Sequence, residues 1–593
     1  MRKLEKLLVG AAVCALAVPA VAQADEQEMQ RKIEELTKKV QKLEEQKGGT
    51  DQKKIEDLTR KVDKIEEKSL GRWLTIGGDY RFRLDSLNGS TKAYTDAFGS
   101  LTNAQNDLQG RIFGGGTLAG TPLPALMPLV QTMQGTTSFS AASQMMQTLA
   151  MTPAQIATLP PAQQAQIQGM QQMAGALQTT YAKRVPAYKP NNDTLYTNRF
   201  GLNMHAKATK DVTVNVRLLA YKTFGSGDDQ AVTNGGATPF FADRVGVFDG
   251  TLGRVPSSDF LNVDRAYATW SNIAEQPIWF SVGRRPSTEG APSNLRLNNE
   301  RPGNGGTPAL LVDYAFDGMT LGWAPDIEAL PGAYTKICYG RGFEAGFETA
   351  NNNLKDTDML GLAIIPVDTD PLRVWLQYNR GFNIFDFPAM NDTYFGNTAP
   401  AVNLGAIDWY GLGAMSTLKK VGPGNLNFFG DVGMSVTHPN DSVSGNAGFQ
   451  GLMTGGFFNP EAPTSKTGWA TYVGARYDYE PSKTKLGLEY NHGSKNWITF
   501  APAADDMWTS KVGTRGDVYE AYLIQELNSK PVSSYISKAF FRIGFQYYDF
   551  AYTGSNNWVG APVKISSIQP TDMMLMTPVK SARDIYATLE VKF

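Results

Sequence analysis

The chain has 593 residues, a net charge of -1 and 19% charged residues, with 59 Gly, 29 Phe, 24 Tyr, 3 His and 2 Cys. Near-neutral charge argues against a general nucleic-acid binder. Glycine- and aromatic-rich composition with few charges suits strands that show one face to water and the other to lipid.

Arg2, Lys3 and Lys6 precede an apolar run, Leu7 to Val21, that ends in small residues at Ala20-Val21-Ala22-Gln23-Ala24. This reads as a secretory signal peptide over 1–24, cleaved after Ala22 or Ala24. Cys14 falls inside it without a lipobox, which leaves Cys338 as the only cysteine of the mature chain. No intramolecular disulfide and no Cys-x-x-Cys-His haem site can then form.

Residues 25–70 form a separate periplasmic module. Ile33, Leu36, Val40 and Leu43, then Ile55, Leu58, Val62 and Ile65, keep heptad spacing amid Lys, Glu and Gln, with a break at Gly48-Gly49. The narrow apolar stripe predicts two short self-associating coiled-coil segments. β-branched residues at a with Leu at d would favour two chains in an isolated coil; coils this short should yield to contacts made by the rest of the chain, and a homotrimer is expected with a dimer as the alternative.

From Trp73 the period changes to two, predicting a barrel over 71–593. Leu74, Ile76, Tyr80 and Phe82 share one face; Thr75, Asp79, Arg81 and Arg83 share the other. A hairpin follows over 196–221, turning at Thr209-Lys210-Asp211. Short turns recur at Asn272–Pro277, Asp368–Pro371, Lys419–Gly424, Glu480–Lys483 and Ser529–Ser533. They alternate with long Gly/Asn/Pro-rich connections, the periplasmic/extracellular asymmetry of an outer-membrane barrel and not of a soluble sandwich. Merging Met319–Ala324 with Ala333–Tyr339 into one interrupted strand gives an antiparallel barrel of 16 strands; 18 is the alternative. Trp73, Trp270, Trp375, Trp409, Trp469 and Trp497 fall in or beside strands, as interfacial girdles do, although packing would also place some of them there. Segment 85–194 reads as one long extracellular loop, with helix-compatible stretches near 123–134, 140–150 and 162–181. Its methionines suit apolar packing better than soft-metal binding, because no Cys or His lies nearby.

Chemistry concentrates on the water-facing parity. Arg81, Arg83, Arg199, Arg217 and Arg265 share it. Arg285 points inward at the end of its strand, and the following loop carries Arg296 and Arg301. These eight are the expected pore-lining residues, and a cationic wall would favour anions. The opposing reading has Asp79, Asp264, Asp313, Glu289 and Glu300 neutralise them. No enzyme is expected: no nucleophile motif accompanies His205, His438 and His492 lack metal-ligand spacing, and Asp505-Asp506 reads as a solvated loop. No metal and no cofactor are implied.

The closing stretch alternates Ile585, Ala587, Leu589 and Val591 against Tyr586, Thr588, Glu590 and Lys592, ending on Phe593. It resembles the last strand of bacterial outer-membrane barrels, in which Phe593 would be the assembly signal read by the barrel-assembly machinery. Val282-Gly283-Arg284-Arg285 resembles the Gly-Arg ending before the inward-folded third loop of porins. Leader, coil and barrel together resemble phosphate-selective porins, and also outer-membrane channels of metal-reducing deltaproteobacteria. The huge first loop and the absence of a dense Lys cluster depart from the phosphate porins. The resemblance implies a passive channel for small hydrophilic solutes, seated in outer-membrane lipid. Two other roles stay open: a sheath for multihaem cytochromes, and a tether to peptidoglycan.

Overall fold

The computed structural model describes residues 73–593 apart from 114–116, 119–120, 123–130, 224–260, 286, 301–307, 348–353, 394–395, 502–505 and 529–537. The expected leader, the coiled-coil seam and Arg301 therefore lie outside the described residues.

Sixteen antiparallel strands close into a barrel in chain order. They are β1 (Leu74–Thr91), β2 (Asn191–Lys207), β3 (Val212–Thr223), β4 (Leu261–Trp270), β5 (Ile278–Arg285), β6 (Phe316–Trp323), β7 (Tyr334–Phe343) and β8 (Thr357–Asp368). The second half is β9 (Leu372–Phe385), β10 (Asn403–Val421), β11 (Gly424–Pro439), β12 (Thr467–Tyr479), β13 (Thr484–Gly493), β14 (Gly516–Glu526), β15 (Lys538–Phe550) and β16 (Val579–Lys592). Short turns join the strands at one end. At the other end run long connections, L1 (92–190), L3 (286–315), L4 (344–356), L5 (386–402), L6 (440–466), L7 (494–515) and L8 (551–578), while L2 (224–260), which links β3 to β4 in the chain, lies outside the described residues.

The period-two rhythm sorts the side chains. Leu321, Ile337, Leu412, Ile543 and Leu488 (67% exposed) point outward, whereas Arg81 (1%), Arg83, Arg373 and Arg542 point into the cylinder. Aliphatic outside and charged inside inverts the soluble arrangement. Only a bilayer around the barrel removes that apolar surface from water, so this is an outer-membrane β-barrel. At β4 a bulge keeps the pattern: Arg217 pairs with Arg265 but Leu218 pairs with Val263, so Asp264 is the extra residue and both Asp264 and Arg265 reach the interior.

Closure joins β1 to β16, with Tyr80 opposite Val591, while β1 also pairs β2, with Tyr80 opposite Phe200. Phe593 extends this seam. Its N–H donates to Gly78 O (3.0 Å), its carbonyl accepts from Gly78 N–H (2.7 Å), and its ring stacks on Phe200. A Cβ at Gly78 would lie 2.5 Å from Gly201 O and 2.9 Å from the Phe593 ring. Gly78→Val is therefore expected to reduce the folded, heat-modifiable band on SDS gels severely, and an unchanged band would show that the seam tolerates bulk.

Two expectations about the strands need correction. The count of 16 stands and 18 does not, but Met319–Ala324 and Ala333–Tyr339 are not one strand. They belong to β6 and β7, which pair antiparallel with Thr320 opposite Cys338. The break between them is a true turn in which Gly332 adopts φ +73. Consequently one of the other sequence candidates is not a barrel strand.

Segment 85–194 is also not all loop. β1 runs to Thr91 and β2 begins at Asn191. In Asp85–Asn88 the outward positions are Ser86 and Asn88, so the apolar alternation fades before the strand does. L1 holds helices α1 (Ala97–Phe113), α2 (Phe139–Leu149) and α3 (Pro161–Gln178); α1 had no sequence signal recognised, and most of 123–134 lies outside the described residues.

Of the tryptophans, Trp73, Trp270 and Trp469 are exposed near strand ends, joined by Trp323. Trp375 and Trp409 are buried inside, Trp409 against Phe500 of L7, and buried Trp497 belongs to L7 itself.

Candidate pore lumen

L3 leaves the wall between β5 and β6 and binds the far side of the cylinder. Leu295 O accepts from Arg476 of β12 (2.5 Å), and Arg296 O accepts from Arg542 of β15 (2.8 Å). Asn298 accepts from Lys485 of β13 (2.7 Å) and donates to Glu526 of β14 (2.9 Å). Lys592 of β16 reaches Asn298 O at 3.2 Å and also bonds Asn299. Since β13 lies eight strands from β5 in a cylinder of sixteen, L3 crosses the bore.

L7 folds inward and joins it. Phe500 N–H donates to Leu311 O (3.0 Å), Asp313 N–H donates to Phe500 O (2.9 Å), and Thr499 Oγ1 donates to Leu310 O (2.6 Å). A charged latch ties both loops to the wall. Arg296 bonds Asp506 (2.6 Å) and Glu520 (3.3 Å). Lys511 bonds Glu520 (2.6 Å) and Glu489. Tyr472 donates to Glu489 (2.6 Å) and Tyr586 to Glu520 (2.7 Å). Burial lowers the Arg296 pKa, but the Asp506 and Glu520 carboxylates more than offset this and hold it well above the usual guanidinium range. Asp506, expected in a solvated loop, is buried in this latch.

The expected arginines all face the interior except Arg301, which is not described. They are paired. Asp79 bonds Arg199 (3.0 Å) and Arg217 (2.6 Å), Asp264 bonds Arg217 (3.3 Å) and Arg265 (3.4 Å), and Glu289 bonds Arg265 (3.4 Å). Arg83 sits between Asp85 (2.6 Å) and Asp584 (2.9 Å), over the Tyr586 ring. Arg81 is buried in register with Arg199 and Glu590. Asp79, Asp264 and Glu289 therefore act as the opposing reading foresaw. Asp313 accepts from the Glu289 N–H (2.7 Å), and Glu300 bonds Lys538 (3.2 Å). Such crossed pairs project little net field along the bore.

Arg285 differs. Its guanidinium donates to Tyr339 O (2.8 Å) and to Thr320 Oγ1. With Lys336 of β7 it lines a cavity of about 390 Å³ that reaches down to the short-turn end at Asn272 and Pro277. Hydroxyls from Ser281, Ser287 and Thr320 complete a lining that contains no carboxylate. Lys336 was missed because merging β6 and β7 hid the parity of β7: Ile337 is exposed and Lys336 is inward. Arg284 turns outward and pairs with exposed Asp317 (2.9 Å). His438 and His492 pair with Asp408 and Asp517, and no metal-holding cluster occurs among the described residues.

The long-loop end is capped. Phe139 N–H of L1 donates to Asp441 O of L6 (2.7 Å), and Ala142, Met145 and Met146 of α2 pack on Val443 and Phe449. Buried Arg515 donates to the carbonyls of Trp497 (2.9 Å), Gly554 (2.6 Å) and Asn557 (2.6 Å), stitching L7 to L8. Asp386 of L5 accepts from Ala401 N–H (2.9 Å) and Ser444 Oγ (2.7 Å) of L6. Burial raises its carboxyl above the ordinary range against these hydrogen bonds. A raised folded pKa means the folded state binds the proton more readily. That stabilisation is complete below the unfolded pKa and is lost as pH rises through the folded one. Proteolysis of L5 and L6 should accordingly be slower near pH 4 than at pH 7, and Asp386→Asn should flatten the difference.

Comparison with known proteins follows from this geometry. No curated protein matches the sequence. Among solved structures the chain is similar to OprB of Pseudomonas putida, with 10% identity, TM-score 0.39, and 91% of this chain and 97% of that chain covered. It is similar also to OmpT, an outer membrane protein of Vibrio cholerae in trimer form (12%, TM-score 0.33, 68% and 93%). An anion-selective porin from Comamonas acidovorans gives 10%, TM-score 0.33, 68% and 93%. A family profile described as a protein of unknown function, DUF3373, matches residues 189–593, from just before β2 through β16. That match spans more than half of the sequence, and the chain therefore belongs to the DUF3373 family.

Proposed function

We propose that this barrel is a passive outer-membrane channel for small hydrophilic solutes, with a preference for anions. The observation that carries the reading is the cavity beside L3, where Arg285 and Lys336 stand among hydroxyls without a carboxylate. Cations on a narrow, partly dry wall attract anions, and hydroxyl donors replace part of a solute's hydration while holding it weakly enough to release it. The paired arginines of β1–β4 then serve the wall's integrity more than its selectivity. L3 and L7 occupy the bore of a sixteen-stranded cylinder, which leaves little room for a haem protein and favours the channel over a cytochrome sheath. In this reading the barrel is a homotrimer whose N-terminal coil lies in the periplasm.

The test is planar-bilayer recording of the purified full chain under a potassium chloride gradient. Discrete ohmic steps with a reversal potential on the chloride side are expected. Absence of any conductance, with haem absorbance co-purifying, would replace the channel by the sheath.

A further inference from the structure

On β5 and β9 three buried side chains leave polar atoms without a hydrogen-bond partner: Arg285 Nε, both amide atoms of Gln377, and Asn379 Nδ2. Gln377 is 6% exposed and Asn379 7%. With Lys336 and Cys338 they line a second cavity, of about 30 Å³, walled by Val312 and Phe316. Its origin is a missing side chain. Cys338, Gly361 and Asn379 lie in register across β7, β8 and β9, and Gly361 leaves the middle place empty. A Cβ there would come within 2.6 Å of Asn379 Oδ1.

We infer that this wall cavity binds a single small inorganic anion of halide size. Volume sets the class, because about 30 Å³ exceeds the roughly 10–15 Å³ that one water needs and is a small fraction of the neighbouring large cavity, which suits a compact ion. Charge sets the sign: Arg285 and Lys336 both line the cavity, and no carboxylate does. The Gln377 and Asn379 amides supply N–H donors that are otherwise unmet, and such groups in a native interior call for a partner. Val312, Phe316 and Met359 keep the surroundings apolar, which strengthens the attraction between a bound anion and the two cations. Water is the competing occupant, since Gln377 Oε1 is unmet too, and the positive surroundings favour the anion. The niche shares Arg285 and Lys336 with the larger cavity on which the proposed function rests, but it sits in the wall, so a non-conducting barrel would also possess it.

Crystals of the detergent-solubilised full chain soaked in sodium bromide provide the test, read at the bromine absorption edge. An anomalous peak between Lys336, Gln377 and Asn379 is expected, together with saturable broadening of the chloride-35 resonance that bromide competes away. Asn379→Asp keeps the shape but adds negative charge, and should weaken the chloride effect by about tenfold or more. Gly361→Ala fills the hole without changing charge and should abolish the peak. Density without anomalous signal would mean water and would overturn the inference. So would a peak that persists in Gly361→Ala, or chloride broadening equal in Asn379→Asp and the parent chain. None of these readouts depends on conductance, so their failure leaves the channel reading to its own test.

Discussion

Reversing the two cations of the large cavity, Arg285→Glu with Lys336→Glu, is expected to turn the channel from anion- to cation-preferring. A unit charge at about 4 Å is worth about 1 kcal/mol in water and about 4 kcal/mol at the effective dielectric of a protein surface. Two reversals should therefore change the anion-to-cation permeability ratio by about tenfold or more, read as reversal potential in a salt gradient. Lys336→Gln alone, which adds no buried acid, should move the potential the same way by a smaller amount. An unchanged potential in both variants would place the cavity off the ion path. Arg83→Glu and Arg217→Glu have a different expected effect. Arg217 sits between Asp79 and Asp264, and Arg83 between Asp85 and Asp584. A glutamate at either place gathers three carboxylates, so lost folded protein should dominate over any shift in selectivity.

Lys511→Met is expected to release the latch. It removes the cation shared by Glu489 and Glu520 from a site where all three side chains are nearly inaccessible. Removing one partner of a buried ion pair costs about 3–5 kcal/mol because the remaining charge is left uncompensated. Glu520 keeps Arg296 and the Tyr586 hydroxyl, whereas Glu489 keeps the hydroxyls of Tyr472 and Tyr522 and no cation, so the cost concentrates on Glu489. The expected outcome is a lower temperature for loss of the compact gel band, faster tryptic cleavage within L7 and larger single-channel steps. Lys511→Met with Glu489→Gln should recover most of the stability. Equal stability of Lys511→Met and the parent chain would mean that the latch does not hold L7.

The barrel could be read from side-chain alternation because each membrane strand carries its own evidence. Val212, Val214, Val216 and Leu218 mark the outward face of β3 without reference to any other strand. The same local rule located Arg285 at the foot of L3 and kept Arg265 inward, although the rule itself did not reveal the bulge at Asp264. Reading failed where local rhythm was interrupted. Gly318, Gly322 and the Pro331-Gly332 turn blurred β6 and β7, and with them the place of Lys336. It failed again where β1 continues to Thr91 with polar residues on both faces.

Alternation thus set the cylinder and the inward parity of its charged residues, because periodicity is a property of neighbouring residues, whereas the count of 16 was reached by merging β6 with β7 while keeping one candidate that is not a barrel strand. The partner of each charge was a different matter. Asp79 with Arg217, Arg296 with Asp506, and Lys511 with Glu489 are joined by pairing of the strands and by loops folding back across the bore. Contacts of that kind join residues far apart in the chain, and no pattern along the chain specifies them. Only the folded molecule separates the arginines held between carboxylates from the cations that line the large cavity.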